Sequence, residues 1–191
     1  MRAYTGGLAK PLNARLRNAF AEGTELSSAD RELVSRIDAG IKAAGVYEER
    51  PVVYRGLLLG HREGMPNGAD LVGMSAAERE RVIRDGIANY AKEKFAPGTV
   101  FSGGGGYQST GFDVRPALDA SITDNRVGVI LEIRARSGAY LGKEISQMDD
   151  EAELLLGRET EYRVHKVIPA VKFDAGVREE VRTVIQVEQI K

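Results

Sequence analysis

Apolar residues in the first half of the chain recur at helical spacing. Leu12, Leu16, Ala19 and Phe20 mark one amphipathic stripe, and Leu33, Val34, Ile37 and Ile41 mark a second. Ser27-Ser28-Ala29-Asp30 has the form of a capping box before the second stripe, and Gly45 closes it. A short apolar run from Pro51 to Arg55 predicts a strand. Gly60 to Gly73 is polar and glycine-rich, which predicts a loop. A second box, Ser75-Ala76-Ala77-Glu78, opens a helix with Ile83, Ile87, Tyr90 and Ala91 inward, stopped by Pro97-Gly98.

From Thr99 onward the pattern shortens toward alternation, with β-branched and aromatic residues enriched. Strands are predicted at Thr99–Ser102, Tyr107–Thr110, Gly128–Arg134, Ala139–Leu141, Glu153–Leu156, Glu161–Val167 and Val181–Val187. Helices first and strands afterwards predict an α+β fold, with the helices packed on a mostly antiparallel sheet. No repeat or linker interrupts residues 1–191, so one domain is expected.

Composition narrows the choice of partner. The 27 Lys and Arg nearly balance 28 Asp and Glu, and no basic tail or acidic block predicts a nucleic-acid or membrane partner. No apolar run is long enough to span a bilayer, and the start shows no signal-peptide core. The absence of cysteine excludes thiol catalysis, disulfides and cysteine-ligated metals.

The stretch Asp150-Glu151-Ala152-Glu153-Leu154-Leu155-Leu156 carries the most chemistry. On a helix, Glu151 and Glu153 would not face each other. On a strand they share one face, with Ala152, Leu154 and Leu156 turned into a core. Like charges on one face do not favour folding, but they suit chemistry on a cationic centre. Two further stretches join this pair. Val52-Val53-Tyr54-Arg55-Gly56 delivers an arginine and a glycine at a strand end, and Tyr107-Gln108-Ser109-Thr110-Gly111-Phe112 delivers hydroxyls after an aromatic. The run Gly103 to Gly106 lacks the lysine of a phosphate loop, and Gln108 stands where a dinucleotide fingerprint needs its last glycine. A flexible loop is therefore expected there. Ser109 is not a nucleophile elbow, because Tyr107 replaces the required glycine. His61 and His165 have no partner at a metal-ligand spacing, so no metal is expected.

In this order, Arg55, Ser109-Thr110 and Glu151-x-Glu153 resemble the arginine–serine–glutamate class of mono-ADP-ribosyltransferases, which includes clostridial binary-toxin enzymes and phage and bacterial effectors. Further segments extend the resemblance over most of the chain. Ala3-Tyr4-Thr5-Gly6 and Asn13-Ala14-Arg15-Leu16-Arg17 are similar to the family's first helix, and Phe95–Phe101 to its approach to the Ser-Thr strand. Val129–Ile133, Gly138–Leu141 and Glu159–Val164 are similar to the strands around the glutamate loop. Gly111 departs from the usual Ser-Thr-Ser.

The resemblance implies an ADP-ribosyltransferase-like fold with a two-sheet β core and NAD as co-substrate. It implies that Glu153 stabilises an oxocarbenium-like ribose, that Ser109 orients Glu153, and that Arg55 holds the NAD phosphates. Gly56 would admit the nicotinamide amide, and Glu151 would receive an arginine acceptor on a target protein. Tyr4, Asn13, Arg17, Thr110, Phe112 and Arg115 are expected as further NAD contacts. A monomeric toxin, effector or phage enzyme acting in a target-cell cytoplasm is implied, along with a delivery or immunity partner. Two alternatives stay open: an NAD glycohydrolase, and a non-enzymatic phage structural or adaptor domain.

Overall fold

The computed structural model describes residues 9–59, 69–123, 126–142, 152–174 and 179–191. Helix α1 (Ala9–Glu22) turns Leu12 and Leu16 into the core at the expected i, i+4 step. Phe20, expected on the same stripe, is 64% exposed. It lies instead against Gly105, where a Cβ would come within 2.5 Å of the Phe20 side chain. In α2 (Ser28–Ala44), Ser27 caps by accepting from Asp30 N, and Gly45 ends the helix at φ 81°. The predicted box does not close there. The Asp30 carboxylate, largely buried, turns instead to Arg15 of α1, accepting from its Nη2 at 2.7 Å and its Nε at 2.9 Å. Strand β1 spans Val52–Leu57. Helix α3 (Ala76–Lys94) has the complete Ser75/Glu78 box and buries Ile87, Ala88 and Ala91.

Strands β2 (Val100–Ser102) and β3 (Gln108–Gly111) follow, and α4 (Arg115–Ala120) comes next. Neither α4 nor a 3-10 turn at Ala69–Leu71 has a sequence signal, because both are too short to show a helical period. The remaining strands are β4 (Ile122–Thr123), β5 (Arg126–Val127), β6 (Val129–Arg134), β7 (Ala139–Leu141), β8 (Glu153–Leu156), β9 (Glu161–Asp174) and β10 (Glu179–Gln189). Strand β9 runs well past its predicted end at Val167, and β10 exceeds its predicted bounds by two residues at each end. Pro169 and Ala170, the latter at φ 55°, interrupt the alternation inside β9, and the β9–β10 ladder absorbs them with a register shift.

Strands β4 and β5 form a small sheet of their own, and the main sheet has the order β2-β9-β10-β6-β1-β3-β8-β7. Among the described residues its one parallel pair is β6–β10. Six residue pairs join β1 to β6, but one pair, Tyr54 with Gly111, joins β1 to β3. The predicted two-sheet core thus takes the form of a five-strand wing and a three-strand wing meeting at a narrow seam. Core residues lie on both faces. Leu154 and Leu156 join Val53, Ile133 and Val164, while Leu155 packs with Leu12, Leu16 and Ile37 beneath α1 and α2. The alternation expected for β8 therefore fails at Leu155, which is buried, and at Ala152, which is exposed. A strand covered on both faces reads as a continuous apolar run. No helix among the described residues is long and apolar enough to cross a membrane.

Candidate active site

The seam gathers the central candidates. Arg55 sits on β1 opposite Leu131, one residue past the single β1–β3 pair. Its Nη1 donates to the Ser109 carbonyl oxygen at 2.9 Å, so a guanidinium links the wings where the backbone ladder has ended. On β3, Ser109 lies opposite Leu155 and Gly111 opposite Glu153. Directly opposed residues share a face, as do residues two apart on one strand. Ser109 and Glu153 are therefore diagonal neighbours on one face, with Ser109 exposed and Glu153 half-buried. Gly111 stands between them without a side chain, and a Cβ there would come within 3.0 Å of the Asp113 carbonyl oxygen.

Thr110 points the other way. Its hydroxyl is buried and donates to the Leu154 carbonyl at 2.6 Å, clamping β3 to β8. This is a structural task. Gly56 also has a structural reason to lack a side chain. A Cβ there would lie 2.2 Å from the Ala117 carbonyl oxygen and 2.8 Å from Ser121 N, so the backbone of α4 occupies that space.

Asn13 is buried on α1, and its Oδ1 accepts from Tyr107 N at 2.9 Å. Arg17 donates through Nε to the Asn13 carbonyl at 3.2 Å. The glycine run is not simply loose chain. Gly104 and Gly105 take φ of 84° and 77°, and Gly105 and Gly106 are buried. A Cβ on Gly106 would lie 3.2 Å from both Arg17 Nε and Asn13 Oδ1. The run therefore lets α1 approach the start of β3.

Two cavities flank the seam. The smaller, about 220 Å³, is lined by Arg17, Arg55, Gly103, Tyr107, Gln108 and Tyr162 among others. The larger, about 860 Å³, is lined by Gly111, Phe112, Arg115 and Ala152, with Tyr54 and Phe173. Phe112 is 39% exposed and meets Tyr140 edge to face at a centroid distance of 6.0 Å. Arg115 is held by Asp113 through its Nε at 2.8 Å, and its guanidinium keeps the Asp113 carboxyl below the usual carboxylate range.

Tyr4 and Glu151 lie outside the described residues, as does His61. His165 is half exposed, with Nε2 3.5 Å from Glu188. Among the described residues no group of side chains is arranged to hold a metal. The sequence reading missed Gln108 and Tyr162, which meet inside the smaller cavity. Tyr162 Oη donates to Gln108 Oε1 at 2.8 Å, and burial pushes the Tyr162 hydroxyl pKa up. A glutamine between an aromatic residue and Ser109 on a buried strand was the available signal.

Residues 1–190 match the family model for the ADP-ribosyltransferase exoenzymes. The chain belongs to that family. Among curated proteins no sequence match is found. Similar solved structures include Plx2a, an ADP-ribosyltransferase toxin from Paenibacillus larvae, at 22% identity and TM-score 0.63, over 99% of this chain and 83% of that one. C3stau2 from S. aureus, solved with NAD, is similar at 21% identity and TM-score 0.62, over 98% of this chain and 83% of that one. Exoenzyme S from Pseudomonas aeruginosa, in complex with human 14-3-3 protein beta and bound to carba-NAD, shares 21% identity at TM-score 0.61, over 99% of this chain and 70% of that one. At these identities the likeness is one of fold.

Proposed function

We propose that this chain is an NAD-dependent mono-ADP-ribosyltransferase that releases nicotinamide and passes ADP-ribose to an arginine of a target protein. The observation that carries the reading is the Arg55–Ser109 link across the seam, with Glu153 diagonal to Ser109 on the adjoining strand. It is supported by family membership and by the NAD in the C3stau2 structure.

In this reading Arg55 anchors the dinucleotide with a planar fork of donors. Breaking the bond between nicotinamide and ribose leaves the electron pair with nicotinamide and positive charge on the ribose carbon. Glu153, held by Ser109, stabilises that charge as it develops. Glu151 binds the acceptor guanidinium and takes its proton as the new carbon–nitrogen bond forms. Gly111, Phe112 and Arg115 border the larger cavity, on the side where Glu153 lies, and the nicotinamide end is assigned there.

The two glutamates separate the steps. Glu153→Gln removes the charge at the reacting carbon and should lower both NAD hydrolysis and transfer by about 10²–10³. Glu151→Gln should abolish transfer to agmatine, a small guanidine acceptor, while slow NAD hydrolysis continues. Nicotinamide release and agmatine labelling are measured on both variants. If Glu151→Gln leaves transfer intact, the acceptor is not an arginine. Equal loss of hydrolysis in both variants would remove the division of labour.

A further inference from the structure

One buried donor in the smaller cavity has no task in the glutamate chemistry. Gln108 is 3% exposed, and its Nε2 is fully buried with no hydrogen-bond partner among the described residues. The amide orientation is fixed from its other end, where Tyr162 Oη donates to Oε1. Turning the amide over would leave both Oε1 and the tyrosine proton unpartnered in place of one amide group. Nε2 lies over Gly103, where an added Cβ would fall 1.6 Å from it. Glycine at 103 is thus a condition for the amide to pack there, and both residues line the cavity. A buried amide nitrogen without an acceptor is costly, so its retention calls for an explanation.

The other polar groups on this cavity supply one. Arg17 and Arg55 line the same 220 Å³ space. Two guanidinium groups and a primary amide offer donors and positive charge, which selects an anion carrying several acceptor oxygens. The volume falls below the roughly 300–1,000 Å³ of pockets that hold whole ligands, so the cavity takes part of one. We propose that Gln108 Nε2 donates to an anionic oxygen of a nucleoside diphosphate, making Gln108 a binding residue for the diphosphate portion of the co-substrate, with Tyr162 as the positioning residue that aims it. This assignment rests on the reading of NAD as co-substrate.

Two variants test the donor. Gln108→Glu keeps an oxygen to accept from Tyr162 but replaces the amide N–H with a carboxylate that repels an anion, so it reports whether an anion sits beside residue 108. The neutral double variant Gln108→Met with Tyr162→Phe isolates the N–H, and it removes both partners of the buried bond together, which leaves no new unpaired group. Calorimetry with NAD, and separately with ADP, is run on the wild type and both variants, alongside thermal unfolding. Loss of one hydrogen bond to a charged oxygen should weaken both ligands about tenfold to a hundredfold. The double variant should melt within a few degrees of the wild type. If Gln108→Glu does not fold, the double variant decides. Unchanged affinity for both ligands overturns the proposal. So does weakening toward NAD but not ADP, which would move Gln108 away from the diphosphate. Binding of ADP but not NAD by the wild type, with ADP lost in the variants, upholds the subsite and overturns the NAD reading. Wild-type protein that binds neither ligand overturns both.

Discussion

Asn13 of α1 and Tyr107 at the start of β3 are joined by a 2.9 Å bond from the Tyr107 backbone N–H to the Asn13 side-chain oxygen, in a buried setting. The bond registers the first helix against the strand that carries Ser109. Tyr107 adds a second tether at its far end, where its hydroxyl lies 2.6 Å from Asp38 Oδ1 on α2. Asn13→Ala would leave the buried Tyr107 N–H without this acceptor, so a loss of about 1–3 kcal/mol is expected. Urea unfolding measures it. Asn13→Asp keeps the accepting oxygen and should recover part of the stability. If both variants match the wild type, the bond does not hold α1 in place.

Arg55→Lys keeps the charge but loses the fork and the reach to Ser109. A point-charge ammonium does not reproduce a guanidinium that bonds a backbone carbonyl on one side and a ligand on another. NAD affinity should fall about tenfold or more, which calorimetry reads directly. Equal affinity in the lysine variant would take Arg55 out of the site.

Gly56→Ala tests the packing of α4 against β1. The added methyl has no room beside the Ala117 carbonyl and Ser121 N. Because those are backbone atoms, α4 must move as a unit. Overpacking of this kind costs about 1–3 kcal/mol. NAD turnover should fall too, since α4 begins at Arg115, beside Phe112. A variant with normal stability and turnover would show that α4 yields freely.

The Arg15–Asp30 pair predicts a particular pH dependence. Its hydrogen bonds to Arg15 hold the Asp30 carboxyl below its usual range, outweighing the opposing effect of desolvation, with Ser27 adding to the lowering. A carboxyl depressed in the folded state contributes stability fully above its unfolded pKa of about 3.9, and that contribution is lost as pH falls through the folded value. The stability difference between wild type and Asp30→Asn should therefore be flat from pH 7 to 5 and shrink below pH 4. Urea unfolding across that range tests this, and a difference that persists unchanged at pH 3 would exclude the charge as its source.

The long helices and most strands were legible because their periodicity spans several turns or pleats. Ser75 and Glu78 give a capping box in sequence and in structure alike. Ser27 and Asp30 give the same local signal, but Arg15, distant in sequence, draws the aspartate away. Residue order brought Arg55, Ser109 and Glu153 to attention, yet the seam between the wings has no local signature. It arises from how far β1 and β3 remain paired, which is decided by tertiary packing. Gln108 was read only as a failed fingerprint position, because its partner Tyr162 lies 54 residues away. Gly56 was read from the ligand side, and α4, too short to announce itself, supplied the nearer reason.

The β9–β10 hairpin bears on how the protein behaves in concentrated solution. Beyond Val164, β9 has no second strand beside it among the described residues, so a long flank of backbone is left for another chain to pair with. Such flanks seed edge-to-edge aggregation unless the sequence blunts them. Pro169 removes a donor, Ala170 at φ 55° bends the strand, and Lys166 and Lys172 place charge along it. The irregularity that hid the strand's length from its sequence is also what makes that flank a poor template for fibrils.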